Sequence, residues 1–351
     1  MKACVSNLVA KMPQPDLTAK DDERSTLKKQ ARRARANFFV PINSQSILSP
    51  VVELRTRLGA PFEGIAEAFV SNVQGLVSTV AIPYSLAHAS SHDRHHQRLH
   101  SAARIRALML EQKPGESEEE HRERGDAVAR DAAGKQMNDF LASPDGFDTI
   151  ARDTCSFLLR GLNDAAFADA SRELLLQGVV LCWSAFEVIA RDVFVATLNM
   201  RPGLTERLLA DPVAKRRFEL SKIPLETISA HGFDLSKRMG TLLAEQQDLS
   251  DLKSIKAVYE ALFPEAVAVA TALADPDLRL LAERRHLIVH KRGMVDLNFY
   301  QKTGGVNVVG ERLIVTPDDL ERHIGSCTSA STAVLDCVAS TVSLSTRPAA
   351  N

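Results

Sequence analysis

Apolar residues recur at three- and four-residue spacing along most of the chain, with alanine, leucine, glutamate and arginine abundant throughout. That period is helical. A helical region is expected from about Ile47 to Leu110. From about residue 140 the pattern tightens, and Ala170 to Leu198 is apolar on nearly every face, which predicts a central core helix. Its most apolar stretch, Leu174 to Ala190, carries Gln177, Ser184 and Glu187, a polar load that argues for a buried helix and against a membrane span. Shorter amphipathic segments fill 204 to 264, and a further helix is expected from about Asp275 to Arg292, with Asp277 near its start. Then the period changes. Val306, Val308 and Val309, a Gly310-Glu311-Arg312 turn, and Leu313, Ile314 and Val315 predict a small β-hairpin. Gly304, Gly305 and Gly310 read as turn residues there. Thr316 and Pro317 then give an N-cap followed by proline, with Asp318 and Asp319 in the first turn of a last helix reaching about Val342.

Punctuation divides the rest. Residues 1 to 20, with Pro13 and Pro15, look loose. The run Lys28, Lys29, Arg32, Arg33 and Arg35 reads as a solvated helix face in preference to an RNA- or phosphate-contacting arm. The stretch KPGESEEEHRERGD, residues 113 to 126, reads as a linker or an exposed helix start, with Ser117 as N-cap and Glu120 three residues on. A domain boundary is placed near here, giving an N-terminal helical region at 1–140 and a second domain at 141–351. No internal repeat is visible.

Composition narrows the class. The chain has 351 residues, 45% hydrophobic and 25% charged, with a formal net charge of -1. That excludes wholesale disorder and a uniformly basic nucleic-acid binder, but it leaves room for a local basic site. Cys4, Cys155, Cys182, Cys327 and Cys337 are scattered without C-x-x-C spacing, which fits reduced thiols in a cytoplasmic protein. Ser6, Asn7 and Lys11 interrupt the N-terminal apolar run, so no signal peptide is read there.

Walker-type, dinucleotide-binding and G-x-S-x-G motifs are absent. In HASSHDRHHQRLH, His88, His92, His96 and His100 recur every four residues and would share one helix face. No cysteine or glutamate joins them, so a polar histidine face is preferred over a metal site. The most informative stretch is AERRHLIVHKRGMVD, residues 282 to 296. Arg284, Arg285, His286, His290, Lys291 and Arg292 fall within nine residues with no acid among them. Histidine moves protons near neutral pH, arginine holds phosphate bidentately, and RNA brings its own nucleophile, the 2′-hydroxyl. His and Arg therefore suffice for metal-independent RNA cleavage, and no cofactor is called for. Lys291 and Arg292 also suit a helix C-terminus ahead of a glycine cap at Gly293.

Arg285-His286-Leu-Ile-Val-His290 resembles the R-x4-6-H motif of the HEPN superfamily (higher eukaryotes and prokaryotes nucleotide-binding domain). That family often has asparagine after the arginine, where this chain has His286. The following Asn298, Phe299, Tyr300, the Thr-Gly turn and VTPDDL, and the earlier helix LCWSAFEVIARDVF with Glu187, are similar to bacterial members. The resemblance covers about residues 150 to 345. It implies a mainly α fold, an antiparallel helical bundle with a small β-hairpin, that forms a homodimer with two motifs facing one cleft. It also implies RNA as substrate, a toxin or phage-defence role, and an antitoxin or regulatory protein as partner. By the same resemblance Arg285 would bind and polarise phosphate, His290 would serve acid-base chemistry, and His286 would orient the pair. Arg284 is a supporting candidate at the same spacing, and Lys291 and Arg292 would contact phosphate. The alternative is a non-catalytic module of the same type that binds RNA, a nucleotide or a protein.

Two physical points accompany this. Glu187, set between Phe186 and Val188, needs a cationic partner, either Arg191 one turn on or Arg285 across the bundle. Positions five apart on a helix differ by roughly 140° around its axis, so Arg285 and His290 do not converge by register alone.

Overall fold

The computed structural model describes residues 17–42, 44–217, 224–246, 248–305 and 307–343. Cys4, Pro13, Pro15 and Val306 lie outside them. The described chain is mostly helical and contains no strand. Its helices are α1 (Leu17–Arg35), α2 (Ser44–Arg55), α3 (Phe62–Val80), α4 (Ile82–Ala107), α5 (Glu118–Ala142), α6 (Pro144–Gly161) and α7 (Ala165–Met200). The short α8 (Thr205–Ala210), α9 (Pro212–Arg217), α10 (Leu225–Ala230) and α11 (Met239–Gln246) follow. Then come α12 (Leu252–Leu262), α13 (Val267–Leu273), α14 (Pro276–Lys291), α15 (Leu297–Lys302) and α16 (Pro317–Ser343). No single helix among the described residues is long and apolar enough to cross a membrane.

The chain divides into two compact units, and neither is continuous in sequence. Among the described residues, one comprises those up to Phe39 with Ile82–Asp169, and the other comprises those of Val40–Ala81 with those from Ala170 onward. The contacts thus change hands at 39/40, 81/82 and 169/170, not at one point near residue 140.

In the first unit α4 packs on α5 and α6, and α1 packs on α6. Two apolar clusters hold it: Ala34, Phe38, Ala87, Cys155 and Leu158 in one, and Ala103, Ala107, Ala129 and Ala133 in the other. The Lys28–Arg35 basic positions are exposed on α1. α5 begins with the expected reciprocal cap. The Ser117 hydroxyl accepts from the Glu120 N–H at 3.2 Å, and the Glu120 carboxylate accepts from the Ser117 N–H at 2.8 Å.

The second unit is built round α7. Trp183, Phe186, Ile189, Val193, Phe194 and Leu198 on it are nearly or fully buried. Gly178 allows close approach of other helices: a Cβ there would stand 2.7 Å from Leu320 of α16 and 2.9 Å from Val80 of α3. The Cys182 and Cys327 sulfurs, both free thiols, meet at 3.6 Å between α7 and α16. Tyr259 of α12 donates its hydroxyl to the Ala190 carbonyl at 2.7 Å.

Among the described residues the expected β-hairpin is not found. The segment after the Gly310 turn pairs instead with the residues that follow α14. Leu313 N–H donates to the Gly293 carbonyl at 2.7 Å and Val295 N–H to the Glu311 carbonyl at 2.9 Å. A lone antiparallel bridge joins Met294 and Arg312. The alternation itself is real: Leu313 and Val315 are buried while Ile314 is exposed. The buried side chains are satisfied by packing on a helical core, so two or three residues of ladder suffice and no sheet follows. Gly293 (φ 73°) makes the return, and Arg292 before it is itself left-handed (φ 54°), so the α14 cap lies one residue earlier than the sequence suggested.

α14 is locked to α16 through a buried cluster. Arg284, 2% exposed, lies 3.3 Å from the Asp319 carboxylate and donates to His323 Nε2 at 2.9 Å. Asp319 also closes the cap of α16, accepting from the Thr316 N–H at 3.0 Å while its own N–H donates to the Thr316 hydroxyl at 3.1 Å. Burial pushes Asp319 up, but the Thr316 N–H and the Arg284 charge outweigh it and hold the carboxyl below its usual range. Burial, aided by the Arg284 charge, pushes His323 down to about 4.

Two outcomes follow from this cluster. Asp319→Ala strands a buried guanidinium and is expected to destabilise the fold by about 3–5 kcal/mol in chemical denaturation. His323 binds a proton more readily unfolded than folded. Its stabilising contribution is therefore whole above pH 6.5 and declines as pH falls toward 4, by about 3 kcal/mol at most. His323→Gln, which keeps an acceptor for Arg284, is expected to flatten the stability-pH curve in that window.

Candidate functional site

Consecutive residues on a helix point about 100° apart. With Arg284 turned into α16, Arg285 is turned toward α7. Its guanidinium comes within 3.8 Å of the Glu187 carboxylate, each side chain about one-quarter exposed. Of the two partners open to Glu187, Arg285 exerts the larger effect. Burial pushes the Glu187 carboxyl up; the Arg285 charge and, more weakly, Arg191 pull it back, and burial prevails. The Arg285 Nε is buried without a hydrogen-bond partner.

Arg285 and His286 form part of the wall of a cavity of about 470 Å³ within the second unit. Its other walls come from Trp183 of α7, the start of α12, the end of α13, the first turns of α14, and Lys302 of α15. Lys253, Lys256, Arg279, Arg285 and Lys302 supply five cations, against the carboxylates of Asp251 and Glu283. Both carboxylates are engaged: Asp251 caps α12 by accepting from the Ser254 N–H at 2.9 Å, and Glu283 accepts from Lys302 at 3.0 Å. Lys256 lies 3.7 Å from Glu260. Trp183 and Leu273 supply buried apolar surface. With both carboxylates engaged, the cavity carries an excess of positive charge.

The remaining candidates separate. His290 is exposed one turn beyond His286, their ring centroids 4.7 Å apart, but it does not line the cavity. Lys291 and Arg292 are exposed at the C-terminal end of α14. Arg284 is not brought to the cavity at all, because it is consumed in the buried pair with Asp319. Lys253, Lys256, Arg279 and Lys302 were not singled out from the sequence. They are scattered over 50 residues, and only the periodicity of α12 and α14 hints at a shared face.

The α4 histidines belong to the first unit. His92, His96 and His100 are half-buried and His88 is exposed. The neighbouring His95 stacks on Phe140 at 3.8 Å, and burial pushes its pKa down. Among the described residues no group of three or more His, Cys, Asp or Glu side chains is placed to hold a metal ion.

No protein-family model matches this chain, and no curated protein or solved structure matches it.

The Glu187–Arg285 contact has a direct readout. A carbon-13 NMR titration of selectively labelled glutamate is expected to place the Glu187 carboxyl above the ordinary glutamate range. Arg285→Ala, which removes the largest downward influence, is expected to raise it further. An unchanged value in the variant would show that the two side chains do not interact in solution.

Proposed function

We propose that this chain is a metal-independent endoribonuclease of HEPN type, as the Arg285–His290 motif suggests. The observation that carries the reading is the state of Arg285. It lines a cationic cavity, its guanidinium lies 3.8 Å from the Glu187 carboxylate, and its buried Nε has no hydrogen-bond partner. A guanidinium so placed can hold a phosphate and stabilise the charge that builds on it in the transition state. His286 lines the same cavity, and His290 follows one turn on, its ring 4.7 Å from that of His286. In this scheme His290 of one protomer takes the proton of the 2′-hydroxyl as its oxygen attacks phosphorus, while His286 orients the Arg285–His290 pair. His290 of the other protomer gives a proton to the departing 5′-oxygen, leaving a 2′,3′-cyclic phosphate and a 5′-hydroxyl.

Homodimerisation belongs to the same proposal. Glu187 opposes Arg285 and Leu176 lies by Gly293, so α7 and α14 run antiparallel. Leu181 and Val188 of α7 and Val289 and Met294 at the α14 end are exposed. In this proposal those exposed apolar side chains receive a second copy, which would bring a further His290 to each Arg285. A toxin or defence role, with an antitoxin or regulatory partner, fits such an activity.

One observation favours the non-catalytic alternative: within one chain His290 does not line the cavity that holds Arg285. Cleavage of end-labelled RNA in EDTA separates the two. Wild type is expected to cleave, with Arg285→Ala and His290→Ala each at least 100-fold slower. Binding of RNA without turnover by wild type would establish the alternative, and a His290→Ala variant as active as wild type would remove His290 from the chemistry.

A further inference from the structure

We infer that a groove on the C-terminal part of α7 binds an amino acid with an apolar side chain, its ammonium on Asp192 and its carboxylate on Lys237. The groove lies within the second unit and shares no lining residue with the Arg285 cavity, so the assignment stands apart from the ribonuclease reading.

α7 contributes most of the groove. Asp192, Val195, Ala196 and Asn199 recur at three- and four-residue spacing and share one face of the helix. Pro61 and Ile65 from the start of α3, and Ser236 and Lys237 ahead of α11, add to the lining. Asn199 ties the latter segment to α7. Its side-chain oxygen accepts from the Gly240 N–H at 2.9 Å and the Thr241 N–H at 3.2 Å, and its amide nitrogen donates to the Thr241 hydroxyl at 3.0 Å. Gly240 permits that approach, since a Cβ there would stand 2.2 Å from the Val195 carbonyl oxygen. Both ends of the Asn199 amide are thus spent on holding the groove together.

The space is about 680 Å³, within the ~300–1,000 Å³ typical of small-molecule sites. Its apolar lining is open to a ligand: Met200 is 46% exposed, Pro61 is exposed, and Ile65 and Val195 are half-buried. Asp192 is half-buried beside them, and among the described residues no hydrogen bond or ion pair reaches its carboxylate. Burial pushes that carboxyl up, and the Arg191 charge pulls it back only in part. Lys237 is exposed and has no ion pair among the described residues either. Its ammonium rides on a long flexible stem that can reach over the groove.

Two opposite charges without partners, next to uncovered aliphatic surface, select the ligand. An alkylamine would answer Asp192 and leave Lys237 unpaired, and a fatty acid would do the reverse. Glycine would answer both and leave the apolar lining wet. An amino acid such as leucine does all three.

L-Leucine is the probe, titrated into the full chain by calorimetry and ligand-observed NMR. Isoamylamine, isocaproate and glycine, which lack its carboxylate, its ammonium and its side chain in turn, are the comparisons. Leucine is expected to bind one site per chain, at least tenfold tighter than each analogue, because each loses one set of contacts. Asp192→Asn, with a melting temperature near wild type, is expected to weaken leucine at least tenfold and leave isocaproate unchanged. Lys237→Gln is expected to weaken leucine at least fivefold and leave isoamylamine unchanged. Because Lys237 is exposed, this variant and the analogue series decide the matter even if Asp192→Asn misfolds. The absence of saturable leucine binding in the millimolar range, equal binding of any analogue, or indifference of leucine to Lys237→Gln would each overturn the assignment.

Discussion

The rotation of α14 about its own axis is set by one buried charge. Arg284 cannot reach water, and its guanidinium is neutralised by Asp319 and accepted by His323, both on α16. A lone charge in that place would cost several kcal/mol, so the helix cannot turn without breaking the pair. Once Arg284 is fixed, the helical step fixes its neighbours: Arg285 meets Glu187, His286 meets the cavity, and Leu287 returns to the core. The two adjacent arginines thus have opposite fates. One is spent on architecture, and the other is kept available.

Availability has its own cost, visible at Glu187. Its carboxyl sits where burial disfavours the charged form, and the Arg285 guanidinium only partly offsets this. The contact is 3.8 Å, longer than a hydrogen bond, and neither group is sealed from solvent. Such a pair restrains the arginine without saturating it. The pattern differs from Glu116 and Arg124 in the first unit, where a hydrogen-bonded contact of 2.6 Å holds the Glu116 carboxyl down to about 2. Tight pairing there leaves nothing over for a ligand.

Local rules read well from the sequence wherever a short segment meets only itself. The cap at Ser117, the Thr316-Pro317 start of α16 and the all-round apolar α7 depend on residues within one or two turns, and each is found as expected. The 307–315 segment differs from expectation because its alternation describes which side chains are buried, not what the backbone bonds to. Its partner proved to be Gly293–Val295 and not itself. The division into units was equally hidden, since α2 and α3 pack with the chain after Ala170 and that choice lies in distant contacts.

The sequence by itself determined that the chain is mainly helical, where α5, α14 and α16 start, and that Arg285, His286 and His290 are concentrated on one helix. These are properties of spacing and composition. Tertiary structure alone decided which arginine is buried, that Glu187 answers Arg285 more than Arg191, and that Lys253, Lys256, Arg279 and Lys302 share a cavity. The physical reason is that a charge's role depends on its solvent and its partner. Both are set by helices brought together from distant parts of the chain, and no local pattern encodes them.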